Sequence, residues 1–123
     1  MKIMKYRLRS MPAAQAHVEF VYNDCGSLVG IRLYSYGTCI LNTVRTKNGG
    51  IYRWVTFVLF NPAYSRTTAR HVNRFTKELF GRNYYFECKK AWATEMGLAE
   101  VLNDNDIMNF WYEYQQYGKH FHY

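Results

Sequence analysis

Hydrophobic and polar residues alternate through the first part of the chain with the period of two that is typical of half-buried β-strands. In residues 2–9, apolar and basic side chains fall on opposite sides, with Met4, Tyr6 and Leu8 on one side and Lys5, Arg7 and Arg9 on the other. Four further β-prone runs follow, at residues 17–22, 28–36, 39–45 and 51–60. The pattern therefore predicts an antiparallel sheet of about four to five strands.

The last two of these runs flank residues 46–50, which contain the pair Asn48-Gly49. Asn-Gly favours the positive φ angles of a tight hairpin turn, so we predict that the two runs form a hairpin. In the second run, Val55, Phe57 and Leu59 alternate with residues that are also largely apolar. This strand is therefore predicted to be central and covered on both faces.

A helix is predicted at residues 65–80, capped by Ser65 or Thr67 and ended by Gly81. At 100° per residue, its apolar side chains lie on the side opposite a group of basic ones. The apolar side consists of Ala69, Val72, Phe75, Leu79 and Phe80. The basic side, here called the cationic stripe, consists of Arg66, Arg70, Arg74 and Lys77.

The spacing of the apolar residues changes again in the C-terminal part of the chain. Residues 84–88 resemble a short strand, and residues 90–102 and 106–117 are predicted to be two helices separated by the cap residues at 103–106. Neither a linker nor a repeat interrupts the sequence. The chain is thus predicted to be a single α+β domain, residues 1–123, in which a basic helix packs on an antiparallel sheet and two helices follow.

Charge adds a functional element to this picture. The 123 residues carry a net charge of +7, and residues 1–82 hold 13 Lys and Arg against three acids. Such asymmetry indicates contact with an acidic partner, although solvated cations that only keep a protein soluble are the alternative. The longest apolar stretch, residues 55–60, is too short to span a membrane, and no secretory signal is apparent. A cytoplasmic protein with reduced thiols and no membrane contact is therefore expected.

The cationic stripe is the strongest candidate for the contact surface. Four like charges on one helix face repel one another, and Glu78 is the only acid near them in the sequence. Other cations that could widen the surface are Lys5, Arg7, Arg9, Arg45, Lys47 and Arg53. A second surface, for a partner or for a second copy of the chain in a homodimer, is suggested by the C-terminal aromatic residues Tyr114, Tyr117, Phe121 and Tyr123.

Candidate catalytic chemistry is weak by comparison. His71 and Glu78 could form an acid–base pair, but they lie seven residues apart, so His71 is interpreted as a partly exposed residue at a helix–sheet edge. His120 and His122 are a weak metal signal, and Cys39 is expected to be a buried structural thiol. We expect no catalytic residue, no metal and no cofactor.

Two blocks carry a resemblance. Ser35-Tyr36-Gly37-Thr38 and the segment from Tyr64 to Phe75 (YSRTTARHVNRF) together resemble an SYxT … YSxTTxRHxxxF pattern of small uncharacterised bacteriophage and mobile-element proteins. The resemblance implies an accessory protein of the counter-defence type, similar to anti-CRISPR inhibitors. Many such inhibitors are acidic mimics of nucleic acid, whereas this chain is basic, which favours docking on an acidic protein surface, guide RNA or DNA.

Three functions stay open from the sequence. The first is a non-enzymatic accessory inhibitor in the bacterial host cytoplasm that binds a host protein or nucleoprotein, for example a CRISPR effector. The second is a sequence-tolerant DNA- or RNA-binding protein whose arginines hold phosphates. The third is a small enzyme of the nuclease type.

Overall fold

The computed structural model describes residues 1–94 and 98–118 and contains six strands and three helices within them. The strands are β1 (Lys2–Arg7), β2 (Ala16–Tyr22), β3 (Leu28–Ser35), β4 (Thr38–Asn48), β5 (Ile51–Val58) and β6 (Leu98–Leu102). The helices are α1 (Arg66–Phe80), α2 (Tyr85–Ala93) and α3 (Asp104–Gly118). The predicted α+β class, with an antiparallel sheet followed by a basic helix and two more helices, is confirmed.

The strands pair with one another in sequence order, and every pair is antiparallel. Two of the connections between neighbouring strands are tight turns. Gly49 and Gly50 join β4 to β5 with φ angles of 61° and 85°, and Tyr36 and Gly37 join β3 to β4 with φ angles of 52° and 81°. Positive φ at both central positions is the type I′ geometry that matches the twist of paired strands. The predicted hairpin is confirmed, with its turn at Gly49-Gly50 and Asn48 still paired in the strand.

One face of the sheet is covered by the helices, and we call it the helix-covered face. The strand register places Tyr6, Val18, Leu33 and Leu41 in one row on this face, and all four are buried. Above them pack Val72 and Phe75 of α1 and Ile107 and Tyr114 of α3, in one hydrophobic core. Burial of these apolar side chains is the main force that holds the helices on the sheet.

The opposite face, here called the open face, carries the alternate residues of each strand. One row across it consists of Lys5, Glu19, Arg32, Asn42 and Phe57. Phe57 is 40% exposed. The prediction that residues 51–60 are covered on both faces is therefore wrong, because all three helices pack on the other side of the sheet.

Helix α1 follows the sequence signals closely. Ser65 has an extended backbone, its Oγ accepts the N–H of Thr68 at 3.0 Å, and the helix ends at Gly81 with a φ of 73°. Of the two predicted caps, Ser65 is confirmed. Val72, Phe75 and Leu79 face the core as predicted.

The region between α1 and α3 differs from the prediction. Residues 84–88 are not a strand, because Tyr85 begins α2, and α2 ends at Ala93. Residues 98–102 are not the end of a helix, because they form β6, which pairs with β5 from Trp54 to Thr56. Backbone pairing with β5 therefore prevails over local helix propensity in this segment. The last helix, predicted at 106–117, is confirmed as α3.

Candidate functional site

The cationic stripe lies on the outer surface of α1. Its four residues are all exposed, and within the described part of the chain none of them forms an ion pair or a side-chain hydrogen bond. The first turn of α1 contains no acid, and Arg66 occupies the first helical position. A cation there faces the positive end of the helix dipole, which is unfavourable by a few tenths of a kcal/mol or more. The outer face of α1 therefore has uncompensated positive charge along its length.

Glu78, the acid nearest to the stripe in sequence, is turned inward and does not neutralise it. Its carboxylate accepts the hydroxyl of Tyr114 at 2.6 Å and the N–H of Ser10 at 3.1 Å, and Arg9 Nε lies 3.7 Å away. The Ser10 hydroxyl also bonds it. Only 6% of the Glu78 side chain is exposed. This carboxylate links α1 to α3 and to the loop after β1.

The other two acids of residues 1–82 are also used within the fold. Asp24 pairs with the N-terminal ammonium group at 2.6 Å. Glu19 lies between Lys5 and Arg32 on the open face, 3.8 Å from each. No acid of this part of the chain is therefore left to balance the stripe.

The predicted wider basic surface is divided among three places. Lys5, Arg7 and Arg53 belong to the open face, on the side of the sheet away from α1. Arg45 and Lys47 stack on the ring of Tyr52 at the β4–β5 hairpin, 4.4 Å and 5.5 Å from its centroid. Arg9 is held at the sheet edge by Glu78 and by Glu113, the latter at 2.7 Å. The sheet thus separates the stripe from Lys5, Arg7 and Arg53, and the remaining three cations are held by contacts of their own.

The predicted aromatic surface is also rearranged. Tyr114 is fully buried and packs against Tyr6, Phe20 and Phe110, so its assignment to an interface is corrected to the core. The reason is that α3 crosses the sheet toward β1 and turns Tyr114 inward. Tyr117 is half-buried beside it. Phe121 and Tyr123, like His120 and His122, lie outside the described residues.

A cavity of about 260 Å³ lies where the chain enters α1, and we call it the α1-entry cavity. Ser35, Ile40 and Thr68 are buried at its floor, while Tyr36 and Tyr64 are 59% and 72% exposed. The complete lining is Ser35, Tyr36, Thr38, Ile40, Phe60, Tyr64 and Thr68. Five of these seven residues belong to the two sequence blocks of the phage-protein pattern, so the fold brings the two blocks together.

Behind the floor of the cavity runs a chain of hydrogen bonds. Ser65 Oγ donates to Thr68 Oγ1 at 3.1 Å, which lies 3.2 Å from Ser35 Oγ, and Ser35 Oγ lies 2.8 Å from His71 Nδ1. Thr68 Oγ1 and Ser35 Oγ therefore each take part in two hydrogen bonds, and the tautomer of the His71 ring sets the direction of the last one.

His71 is completely buried, which corrects the prediction of a partly exposed residue. It faces the sheet because the buried arc of α1 is wide enough to include Thr68 and Thr76 as well as the apolar residues. Burial, and then the positive charge of Arg70, lower the pKa of His71 below the usual 6.5. The neutral imidazole therefore dominates at neutral pH. The described residues offer Nε2 no hydrogen-bond partner.

Tyr36 is the only non-glycine residue with positive φ among the described residues. A side chain at φ 52° costs about 1–2 kcal/mol relative to glycine. Strain of this kind is concentrated at ligand clamps and active sites, where the particular side chain is needed. Tyr36 lies at the mouth of the α1-entry cavity, and its ring centroid is 5.8 Å from that of His71.

Other chemistry is sparse in residues 1–94 and 98–118. No group of three or more His, Cys, Asp or Glu side chains in these ranges could hold a metal ion. Burial raises the pKa of the Cys88 thiol to about 12, and it also raises the pKa of the half-buried Cys39. None of the described helices is long and apolar enough to cross a membrane.

No protein-family model, no curated protein and no solved structure matches this chain. The α1-entry cavity and its hydrogen-bond chain were missed by sequence reasoning. The sequence feature that could have indicated the cavity is a serine next to a tyrosine in each block, at Ser35-Tyr36 and at Tyr64-Ser65. Nothing local to either block shows that they meet.

Proposed function

We propose that this chain is a non-enzymatic accessory protein that docks on an anionic partner through the cationic stripe of α1. The observation that carries the proposal is the stripe itself: four exposed cations on one helix face without an acidic partner among the described residues. Mutual repulsion of these cations is relieved when an anionic surface covers them. Without such a partner, the repulsion between the four cations remains.

The resemblance to phage and mobile-element proteins supplies the biological setting of this proposal. In that setting the partner is a host protein or nucleoprotein of a defence system, for example a CRISPR effector, and docking inhibits it in the host cytoplasm. A nucleoprotein presents both phosphates and acidic side chains. Three arginines in the stripe suit both, because a guanidinium forms paired hydrogen bonds with carboxylate and with phosphate.

The proposal is tested by two double charge reversals that change the net charge by the same amount. Arg70→Glu/Arg74→Glu reverses the centre of the stripe, and Arg7→Glu/Arg53→Glu reverses two exposed cations of the open face. In affinity capture from host extract, the wild-type chain and the open-face variant Arg7→Glu/Arg53→Glu should recover the same host components. The stripe variant Arg70→Glu/Arg74→Glu should fail to recover them. The plating efficiency of a phage that is sensitive to the defence system should be high with the wild-type chain and the open-face variant, and low with the stripe variant.

Equal capture by the two variants would show that overall charge, and not the stripe, attracts the partner. Treatment of the extract with nuclease before capture separates the two kinds of partner. A component that remains after treatment is held through a protein surface, and one that disappears is held through nucleic acid.

Direct, sequence-tolerant binding of nucleic acid is the second candidate, and a separate observation favours it. The exposed rings of Tyr36 and Tyr64 lie at the start of α1, where bases could stack next to the arginines of the stripe. Fluorescence titration with duplex DNA and single-stranded RNA at two salt concentrations tests it. Each phosphate held on the duplex adds about 0.9 to the log–log salt slope, so Arg70→Glu/Arg74→Glu should lower that slope by about 2.

A further inference from the structure

The α1-entry cavity has the size of a single ring system. Its volume of about 260 Å³ is just below the range of roughly 300–1,000 Å³ that holds drug-sized ligands. Phe60 forms one wall and packs edge-on against Tyr64, with ring centroids 5.4 Å apart. A flat ring therefore fits a space of this size beside the Phe60 and Tyr64 rings, whereas a folded peptide segment is too large.

The two tyrosines at the mouth are placed to cover a ring from solvent. Both are largely exposed in the free chain, so they gain contact area when a ring enters. Tyr36 is also held in the left-handed region, where glycine or asparagine would fit with less strain. The turn holds the Tyr36 ring at the mouth of the cavity, with its centroid 5.8 Å from that of His71.

The lining of the cavity offers hydrogen bonds without a strict pattern. The hydroxyl of the exposed Thr38 both donates and accepts, and Ser35 and Thr68, each already in two hydrogen bonds, can form one more. Such groups satisfy ring edges that differ in their arrangement of donors and acceptors. The cavity is therefore suited to several related rings.

Charge at the start of α1 indicates what the ring is attached to. Arg66 and Arg70 are exposed on the first two turns of α1, and Arg66 follows Tyr64 by only two residues. A ligand that satisfies both features has an aromatic ring joined by a short connector to a negative group. A nucleotide has this construction.

We infer that the α1-entry cavity binds one unpaired nucleobase of a single-stranded nucleic acid, with Tyr36 and Tyr64 against the base and Arg66 and Arg70 on the neighbouring phosphates. The inference rests on the proposed function in so far as the stripe must bind anions. A base paired inside a duplex cannot enter the cavity, so only unpaired nucleotides gain this contact.

Fluorescence anisotropy titrations of the full chain at one low salt concentration test the inference. The probes are a labelled DNA strand, an RNA strand of the same sequence and the DNA strand with abasic sites in place of its bases. Stacking of one base is expected to make at least one base-bearing strand bind roughly tenfold more tightly than the abasic strand. A difference between DNA and RNA shows which sugar is preferred.

Four variants locate the effect. Tyr64→Ala should reduce the affinity for base-bearing strands to the abasic level, whereas Tyr64→Phe, which keeps the ring, should retain it. Tyr36→Gly removes the strain at φ 52° and should unfold at the same or a higher temperature while it loses affinity. Tyr112→Ala removes a comparably exposed tyrosine from α3, outside the cavity, and should change nothing.

Equal affinity for abasic and base-bearing strands, or unchanged binding by Tyr64→Ala, overturns the inference. In that case Arg70→Glu/Arg74→Glu would still weaken binding of all three strands, and the docking role of the stripe would stand. Failure of every strand to bind also overturns the inference and confines the proposed function to a protein partner.

Discussion

Loss of one buried hydroxyl, in the variant Tyr114→Phe, should destabilise the fold strongly. The hydroxyl donates to Glu78 Oε1 at 2.6 Å and accepts the backbone N–H of Arg9 at 2.9 Å. Phenylalanine keeps the ring and its packing against Tyr6 and Phe110, so the change isolates the two hydrogen bonds.

The expected cost follows from those bonds. A hydrogen bond to a charged group contributes about 1.5–3 kcal/mol and an ordinary one about 0.5–1.5 kcal/mol. The free energy of unfolding should therefore fall by about 3 kcal/mol, which is a large part of the roughly 5–15 kcal/mol of a typical domain. Burial and the nearby Glu78 charge also raise the pKa of Tyr114 well above 10, so the hydroxyl stays protonated over the whole working range.

Urea unfolding followed by tryptophan fluorescence measures the change. With a slope of about 2 kcal/mol per molar urea, the midpoint should fall by about 1.5 M. Tyr112→Phe, which removes an exposed hydroxyl from the same helix, is the matched control and should shift the midpoint very little. A double-mutant cycle with Glu78→Gln should give a coupling energy of about 1–2 kcal/mol. If the free energy of unfolding of Tyr114→Phe lies within 0.5 kcal/mol of the wild-type value, then the hydrogen bonds of Glu78 do not hold α1 to α3.

Two further predictions concern packing and pH. Gly118→Ala should lower the thermal midpoint, because a Cβ at this position would lie 2.9 Å from Cδ1 of the buried Tyr6 ring. The overpacking costs about 1–3 kcal/mol, which outweighs the gain of about 1 kcal/mol in helix propensity. A higher midpoint would contradict this prediction. Because the pKa of His71 is lowered in the folded state, the unfolded chain binds the proton more readily, so stability is complete above pH 6.5 and declines as the pH falls below it. His71→Gln should show a shallower decline between pH 6.5 and 5 in urea titrations, and an equal decline in both proteins would refute the assignment.

Features that depend on neighbouring residues were predictable from the sequence. Alternating and β-prone runs predicted β1 to β5, and the pair Asn48-Gly49 predicted the hairpin, because positive φ is a local requirement; the turn itself lies at Gly49-Gly50. Helix α1, a cap at Ser65 or Thr67, the end at Gly81 and the outward cationic stripe were predicted for the same reason, and the structure selects Ser65 as the cap. A cap, a turn and a helix face all lie within a few residues of the atoms that define them.

Tertiary structure decided the features that depend on distant residues. Residues 98–102 form β6 by pairing with β5, and Tyr114 is buried because α3 crosses the sheet. The strand order separates the cationic stripe from the open face, and it brings Ser35 of β3 within 2.8 Å of His71 of α1. These contacts join residues more than thirty positions apart, and no local pattern specifies which distant segments will pack together.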